Sequence, residues 1–300
     1  MDRSKTISWV VSVCAVYIRL SQVKTLGVLI AAAMRNQRIS LANLGRQMTG
    51  NVKHQIKRTW RFCANDGVEV SDAMRGVVDR LVKKRKKPLL ADRGFGRTAL
   101  AEFCRHHGFS YLIRIQPKVI VRLKGFCGKL LDYPVKKGIA KVLKDVAYRS
   151  DGAVTQHIVV HWERNLPKKR DECWFLMTDL AGTAHQLCRL YGRRMTIEQL
   201  FRDDKSKRNG WSLRDTLITK PERLDRLLLI LAIAYLLLCG IGLLAKKEHE
   251  PSAWCSTNRQ IECSIYTIGM IMLSRIKARP PAALAAVQQL SLEVAEGNWG

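Results

Sequence analysis

The spacing of apolar residues changes along this chain and predicts three regions. Residues 8–63 combine apolar stretches with basic positions at helical spacing, which predicts packed helices. Residues 88–180 contain short runs rich in β-branched and aromatic residues, which predicts strands mixed with helices. Residues 227–245 are almost continuously apolar, so they predict either a buried core helix or a membrane span. Of these two, the core helix is preferred here.

The N-terminal region predicts short helices around a turn. Residues 8–34 predict a packed helix or helix pair rather than a signal peptide, because no short charged leader precedes a clean apolar core. Ser40 is the predicted N-cap of a helix over 41–48, and a second helix is predicted over 51–63. Two short helices indicate a helix-turn-helix-like module, with a plain helical hairpin as the alternative. The second helix carries four cations suited to phosphate contacts: Lys53, Lys57, Arg58 and Arg61.

A β-α-β unit is predicted after the five basic residues at 83–87. Residues 88–92 predict a short strand, residues 98–107 a helix, and residues 109–115 a second strand parallel to the first. Open α/β sheets place their sites at the carboxyl ends of strands, and Asp92 falls at such an end. Asp92 is therefore a candidate site residue, with a turn-forming aspartate as the alternative.

Further strands are predicted before the next helix. Residues 173–180 predict a last strand, and a hairpin turn is predicted at 150–152. The strands between are predicted over 119–123, 142–149 and 154–164.

Residues 191–205 predict one continuous helix with unusual chemistry. Thr183 and Gln186 predict a capping box ahead of it. At about 100° per residue, four side chains fall within an arc of about 60°: Tyr191, Arg194, Glu198 and Lys205. A carboxylate flanked by cations suits phosphoryl transfer on a nucleic acid, because the carboxylate binds Mg²⁺ and the cations bind phosphates. An ordinary solvated helix face is the alternative.

The spacing Tyr-(2)-Arg-(3)-Glu-(6)-Lys resembles the signature of DDE transposases of the insertion-sequence-four group. The resemblance covers residues 35–245 approximately, and Ala-Asp-Arg-Gly-Phe-Gly is similar to the family's second-acid motif. It implies a ribonuclease-H-like α/β core that uses Mg²⁺, or Mn²⁺ as a substitute, to cut and join DNA. By this resemblance Asp92 and Glu198 are the second and third acids and metal ligands. Tyr191, Arg194 and Lys205 are implied DNA contacts.

The resemblance also implies a division of the chain. Residues 1–66 would form a helical DNA-binding region, 67–87 a basic linker, 88–247 the catalytic core with a β insertion at about 116–172, and 248–300 a helical tail.

The first acid of such a core has no obvious place in this sequence. The missing strands, helix and turns need roughly 50 residues, whereas Cys63 and Pro88 are 25 positions apart. We therefore predict an internal deletion and an incomplete core. Asp72 and Asp79 are the nearby acids that could take the place of the missing first acid, but Asp79 is expected on a helix surface instead. The chain is then either a metal-dependent transposase or a catalytically inactive DNA-binding remnant that inhibits transposition.

The net charge and the cysteines indicate which partners the protein binds and in which compartment it works. A net charge of +27 indicates a polyanionic partner, for which DNA and a membrane surface compete. Nine cysteines without a CxxC pair favour reduced, buried thiols over a zinc site or a disulfide framework. We expect a cytoplasmic, nucleoid-associated protein that binds double-stranded DNA at transposon terminal repeats, self-associates on DNA and does not enter a membrane. A basic membrane protein is the less favoured alternative.

Overall fold

The computed structural model describes residues 2–35, 39–82, 88–106, 108–148, 154–163, 173–195, 198, 211–256 and 263–295. The chain forms two compact units. The helical unit combines Met1–Lys83 with Ile197–Leu292, and the sheet unit contains Lys84–Thr196. The predicted α/β class is confirmed, with the helices and the sheet concentrated in different units.

The helical unit begins with five helices whose starts follow local capping chemistry. The side chains of Asp2, Ser40 and Asn51 each accept a backbone N–H in the first turn of a helix. The five helices are α1 (Arg3–Cys14), α2 (Leu20–Arg35), α3 (Leu41–Arg46), α4 (Val52–Cys63) and α5 (Val70–Val82). The expected helix pair over 8–34 is therefore confirmed, and so is the helix predicted over 51–63.

A long apolar helix, α8 (Pro221–Glu248), forms the centre of the helical unit, where it packs against α2, α4 and α5. Its other neighbours are α9 (Ile265–Met272) and α10 (Pro280–Ala295). Among the described residues it is the one helix long and apolar enough to cross a membrane, with a mean hydropathy of 2.9. However, 61% of that apolar window is buried against the rest of the unit, as in a core helix.

The sheet unit contains seven described strands in the order β1-β2-β7-β6-β5-β3-β4. The strands are β1 (Pro88–Ala91), β2 (Ser110–Arg114), β3 (Ile120–Leu123), β4 (Phe126–Lys129), β5 (Ala140–Tyr148), β6 (Val154–His161) and β7 (Trp174–Thr178). β1 and β2 are parallel and are joined by α6 (Thr98–His106), so the predicted β-α-β unit is confirmed. The other described pairs are antiparallel.

Both faces of the sheet are covered by apolar packing. On one face, Ala101 and Cys104 of α6 pack with Tyr111 and Ile113 of β2. On the other face, α7 (Ala184–Gly192) packs against β2, β6 and β7. The strands β3–β6 continue this sheet instead of forming a separate layer, because β6 pairs with β7 over His157–His161. The short strand β4 was not predicted, since Gly125 and Gly128 interrupt its apolar pattern.

Candidate functional site

Asp92 lies at the carboxyl end of β1, as predicted from the β-α-β pattern. It is the N-cap of a short 3-10 turn over Arg93–Phe95, and its Oδ1 accepts the Arg93 backbone N–H at 2.7 Å. The turn-forming interpretation of Asp92 is therefore correct as local structure. The carboxylate is nevertheless half exposed, with 49% of the side-chain surface accessible, so it stays open to a further interaction.

Tyr191 reaches Asp92 from the last turn of α7. The capping box of Thr183 and Gln186 is formed as predicted and fixes the start of this helix. Tyr191 is buried, and its ring packs edge-on against Trp174 at a centroid distance of 5.4 Å. Its hydroxyl donates to Oδ1 of Asp92 at 3.4 Å, which is a long hydrogen bond. Residues 99 positions apart thus meet at one corner of the sheet unit.

The prediction of one continuous helix over 191–205 is wrong. α7 ends at Gly192, and residues Arg193–Met195 form a 3-10 turn. Glycine is a poor helix former, and the Arg193 N–H closes the last turn by bonding to the carbonyls of Leu190 and Tyr191. The arc calculated for an unbroken helix therefore does not describe this segment.

Arg194 still approaches the same corner from the 3-10 turn. Its Nη1 lies 3.7 Å from Oδ2 of Asp92, and its guanidinium carbon lies 5.8 Å from the centre of the Tyr191 ring. Only 15% of the Arg194 side-chain surface is accessible. Asp92, Tyr191 and Arg194 are therefore brought together, although not on one helix face.

Arg114 is a member of this corner that the sequence analysis missed. It ends β2, the strand parallel to the one that precedes Asp92. A Cβ added to Gly96, in the loop after Asp92, would lie 3.0 Å from the Arg114 carbonyl oxygen, so the loop and the strand end are in close contact. The sequence contained a signal for this placement. Arg114 ends an apolar strand that is predicted to be parallel to the strand before Asp92, so both residues must lie at the same end of the sheet.

The charges of this corner influence one another. The pKa of Asp92 is lowered, first by the Arg93 N–H and then by the positive charges of Arg194 and Arg114, despite an opposing effect of burial. The pKa of Arg114 is lowered by burial and by the neighbouring charge of Arg93, while Asp92 and Tyr191 oppose this. We call the five residues Asp92, Arg93, Arg114, Tyr191 and Arg194 the Asp92 cluster. It contains one carboxylate and three guanidinium groups.

The Asp92 cluster does not fit a magnesium site. Mg²⁺ prefers several oxygen ligands, and two-metal chemistry needs several carboxylates. In the described ranges no group of three or more His, Cys, Asp and Glu side chains could hold a metal ion. Arg194 also faces one oxygen of Asp92, and the Arg93 N–H binds the other. The predicted role of Asp92 as a metal ligand stays a prediction that requires acids from elsewhere.

The other two residues of the signature are placed differently. Glu198 is helical and exposed, and it is part of the helical unit. Lys205 lies outside the described residues. The predicted role of Glu198 as a metal ligand and the predicted DNA contact by Lys205 therefore stay predictions. Asp72 and Asp79 lie on α5, where they interact with Arg75 and with the Tyr17 hydroxyl, so they have the helix-surface role expected of Asp79.

The four cations predicted to contact DNA all lie on the exposed face of α4. The opposite face buries Thr59, Phe62 and Cys63. α4 packs closely on α3, because Gly45 lies against the backbone of Ile56. Lys53, Lys57 and Arg61 project from this exposed face, whereas Arg58 also donates to the Thr25 hydroxyl at 2.9 Å. Helix-turn-helix modules and plain hairpins share these features, so the prediction of DNA contacts here stays a prediction.

Comparison with known proteins gives the family. The family model for a transposase DDE domain matches residues 65–237, which is more than half of the chain. The match includes Asp92, Tyr191, Arg194 and Glu198 and leaves α1–α4 outside. A search of curated proteins found no match. The seven-stranded sheet with its helices is consistent with the ribonuclease-H-like fold expected of this family. The chain belongs to the family of proteins with a transposase DDE domain.

Proposed function

We propose that this chain is an insertion-sequence transposase of the insertion-sequence-four group that keeps DNA binding and has lost strand cleavage. Its DNA partner is double-stranded DNA at the terminal repeats of the parent element, on which the protein self-associates in the cytoplasm. The observation that carries the proposal is the composition of the Asp92 cluster, in which Arg194 lies 3.7 Å from the one carboxylate and the charge of Arg114 also acts on it. Such a site holds phosphate better than it holds a metal ion.

An internal deletion accounts for the shortage of acids. The segment between α4 and β1 folds as the helix α5, which supports the view that the strands bearing the first acid are missing. β1 is an edge strand of the described sheet, and Leu89 on it is 39% exposed. An exposed apolar edge is expected where neighbouring strands have been removed. Asp92 and Glu198 would then be the surviving acids of a set that once bound Mg²⁺.

DNA binding does not depend on those acids. The exposed cations of α4, together with a net charge of +27, favour binding to the phosphate backbone. We place the contacts at Lys53, Lys57, Arg58 and Arg61, with Tyr191, Arg194 and Lys205 as a second group. Binding of this kind weakens steeply as salt is added, because each phosphate contact releases counterions.

The proposal is tested by measuring binding and cleavage on the same DNA. The purified chain is mixed with a duplex that carries the parent element's terminal repeat, in Mg²⁺ or Mn²⁺, beside the variant Glu198→Gln. We expect salt-dependent binding by both proteins and no cleavage product from either. Cleavage that disappears in Glu198→Gln would contradict the proposal, because it would require a complete set of acids. Loss of binding in a Lys53→Gln, Lys57→Gln double variant, with Lys118→Gln as the control, would locate the contacts on α4.

A further inference from the structure

The strand β1 forms one edge of the sheet, and its backbone is paired on one side. In the described sheet β1 has a single neighbour, the parallel strand β2. Alternate residues of a strand direct their N–H and C=O groups to opposite sides, so about half of these groups in β1 point away from β2. Pro88 has no N–H, but it is the first residue of the strand, where proline is tolerated. A row of unpaired backbone groups can pair with a strand of another chain.

The apolar side chains of β1 are less covered than the side chains with which they pair. Leu89 is 39% exposed and Leu90 is half-buried, whereas their partners Tyr111 and Leu112 on β2 are fully buried. Strands that are covered on both faces of a sheet normally bury such residues. The difference therefore comes from the outer side of β1, and a strand added there would bury Leu89 and Leu90 further.

The opposite edge of the sheet is protected and β1 is not. The strand β4 (Phe126–Lys129) forms that other edge, and it contains Gly128 and Lys129 and follows Lys124 and Gly125. Lysine and glycine residues discourage pairing at an edge. The residues of β1 are Pro-Leu-Leu-Ala, which include no charge and no glycine. Of the two edges, β1 is thus the one suited to accept a strand.

We propose that β1 pairs with β1 of a second copy of this chain in antiparallel orientation. The charges at the two ends of the strand favour this arrangement, because the basic run 83–87 precedes β1 and Asp92 follows it. Antiparallel pairing brings the Asp92 carboxylate of each copy, 49% exposed, near the basic start of β1 in the other copy. Parallel pairing would instead place the two basic runs side by side. The contact uses the same surface of both copies, so it closes at a dimer.

The dimer is weak, and its strength depends on charge. Two strands of four residues bury much less than the area of about 1,200–2,000 Å² that is typical of a stable interface. The net charge of +27 on each copy also opposes association. Salt screens this repulsion, and two copies on one DNA would be concentrated as well as neutralised. The inference deepens the self-association of the proposed function and rests on it only for this setting on DNA.

The first experiment measures the mass of the full chain by sedimentation equilibrium without DNA, over about 5–200 µM protein and at rising salt. We expect the average mass to rise from monomer towards dimer with both. Leu89→Lys should weaken association by about ten-fold or more, because it places like charges on the shared edge. Ile120→Lys is the matched control, since Ile120 is 46% exposed on β3, a strand with neighbours on both sides. A wild type that stays monomeric would leave the edge to a different chain and overturn the inference, and so would equal effects of the two variants.

The second experiment follows amide hydrogen exchange in the wild type, so its result does not depend on whether a variant folds. Amides of β1 should exchange more slowly as the protein concentration rises, whereas those of β4 should not change. Unchanged exchange in β1 while the mass rises would place the contact elsewhere and overturn the inference. DNA binding is measured separately. Binding of DNA without protection of β1 would reject this inference and keep the proposed function, whereas a β1 dimer that does not bind DNA would do the reverse.

Discussion

Arg226 joins the central helix of the helical unit to the end of α4. It lies on α8 with 7% of its surface exposed. Its Nη1 donates to the Cys63 carbonyl at 3.1 Å and its Nε to the Val68 carbonyl at 3.3 Å. The Nη2 group donates to Asp66, whose side chain is 90% exposed. The last carbonyls of a helix have no partner within it, so Arg226 supplies one for α4.

We predict that Arg226→Leu destabilises the helical unit by about 2–5 kcal/mol. Two carbonyl groups would lose their partners in a buried setting, at a cost of about 1–3 kcal/mol each. The ion pair with Asp66 adds at most about 1 kcal/mol, because that carboxylate is solvated. Burial of the leucine side chain offsets part of the loss. A change of this size lowers the melting temperature by about 4–20 °C in a unit of this size.

The control is Arg223→Leu, one turn earlier on α8. Arg223 lies 5.5 Å from the centre of the Trp60 ring, and Trp60 is 45% exposed. A cation–π contact at an exposed site contributes only about 0.5–1 kcal/mol. Thermal unfolding followed by circular dichroism at helical wavelengths should therefore separate the two variants clearly. Equal stability losses in both would refute the claim that Arg226 acts by capping α4.

Two further predictions concern packing and pH. Gly269→Ala should destabilise the helical unit by about 1–3 kcal/mol or more, since the added Cβ would overlap the Leu238 carbonyl, whereas Gly94→Ala has open space and should change the melting temperature little. Burial lowers the pKa of His161, so the unfolded chain takes up a proton more readily than the folded one below about pH 6.5. Stability measured by urea unfolding should therefore fall from about pH 7 to pH 5, and His161→Gln should reduce that fall. An unchanged pH dependence in His161→Gln, with exposed His54→Gln as the control, would show that another group is responsible.

The local features of the fold could be predicted from the sequence. The N-cap Ser40, the capping box of Thr183 and Gln186, and the strand before Asp92 depend on chemistry within a few residues, and all of them formed. The family was also predictable, because the spacing of the signature residues is read from the sequence and does not depend on whether they form one continuous helix. The break after Gly192 was not predicted, since helical spacing alone contains no information on where a helix stops.

Only the tertiary structure decided which distant side chains meet. Arg114 and Asp92 lie at the same edge because β1 and β2 pair in parallel, and Arg194 joins them because α7 packs across the other face of that sheet. In the sequence Arg226 is only a charge beside an apolar run, yet its side chain binds the end of α4, 163 positions away. The sequence by itself determined the local elements, the family and the charge. Which cations lie beside Asp92 follows from long-range packing, which no local sequence pattern contains.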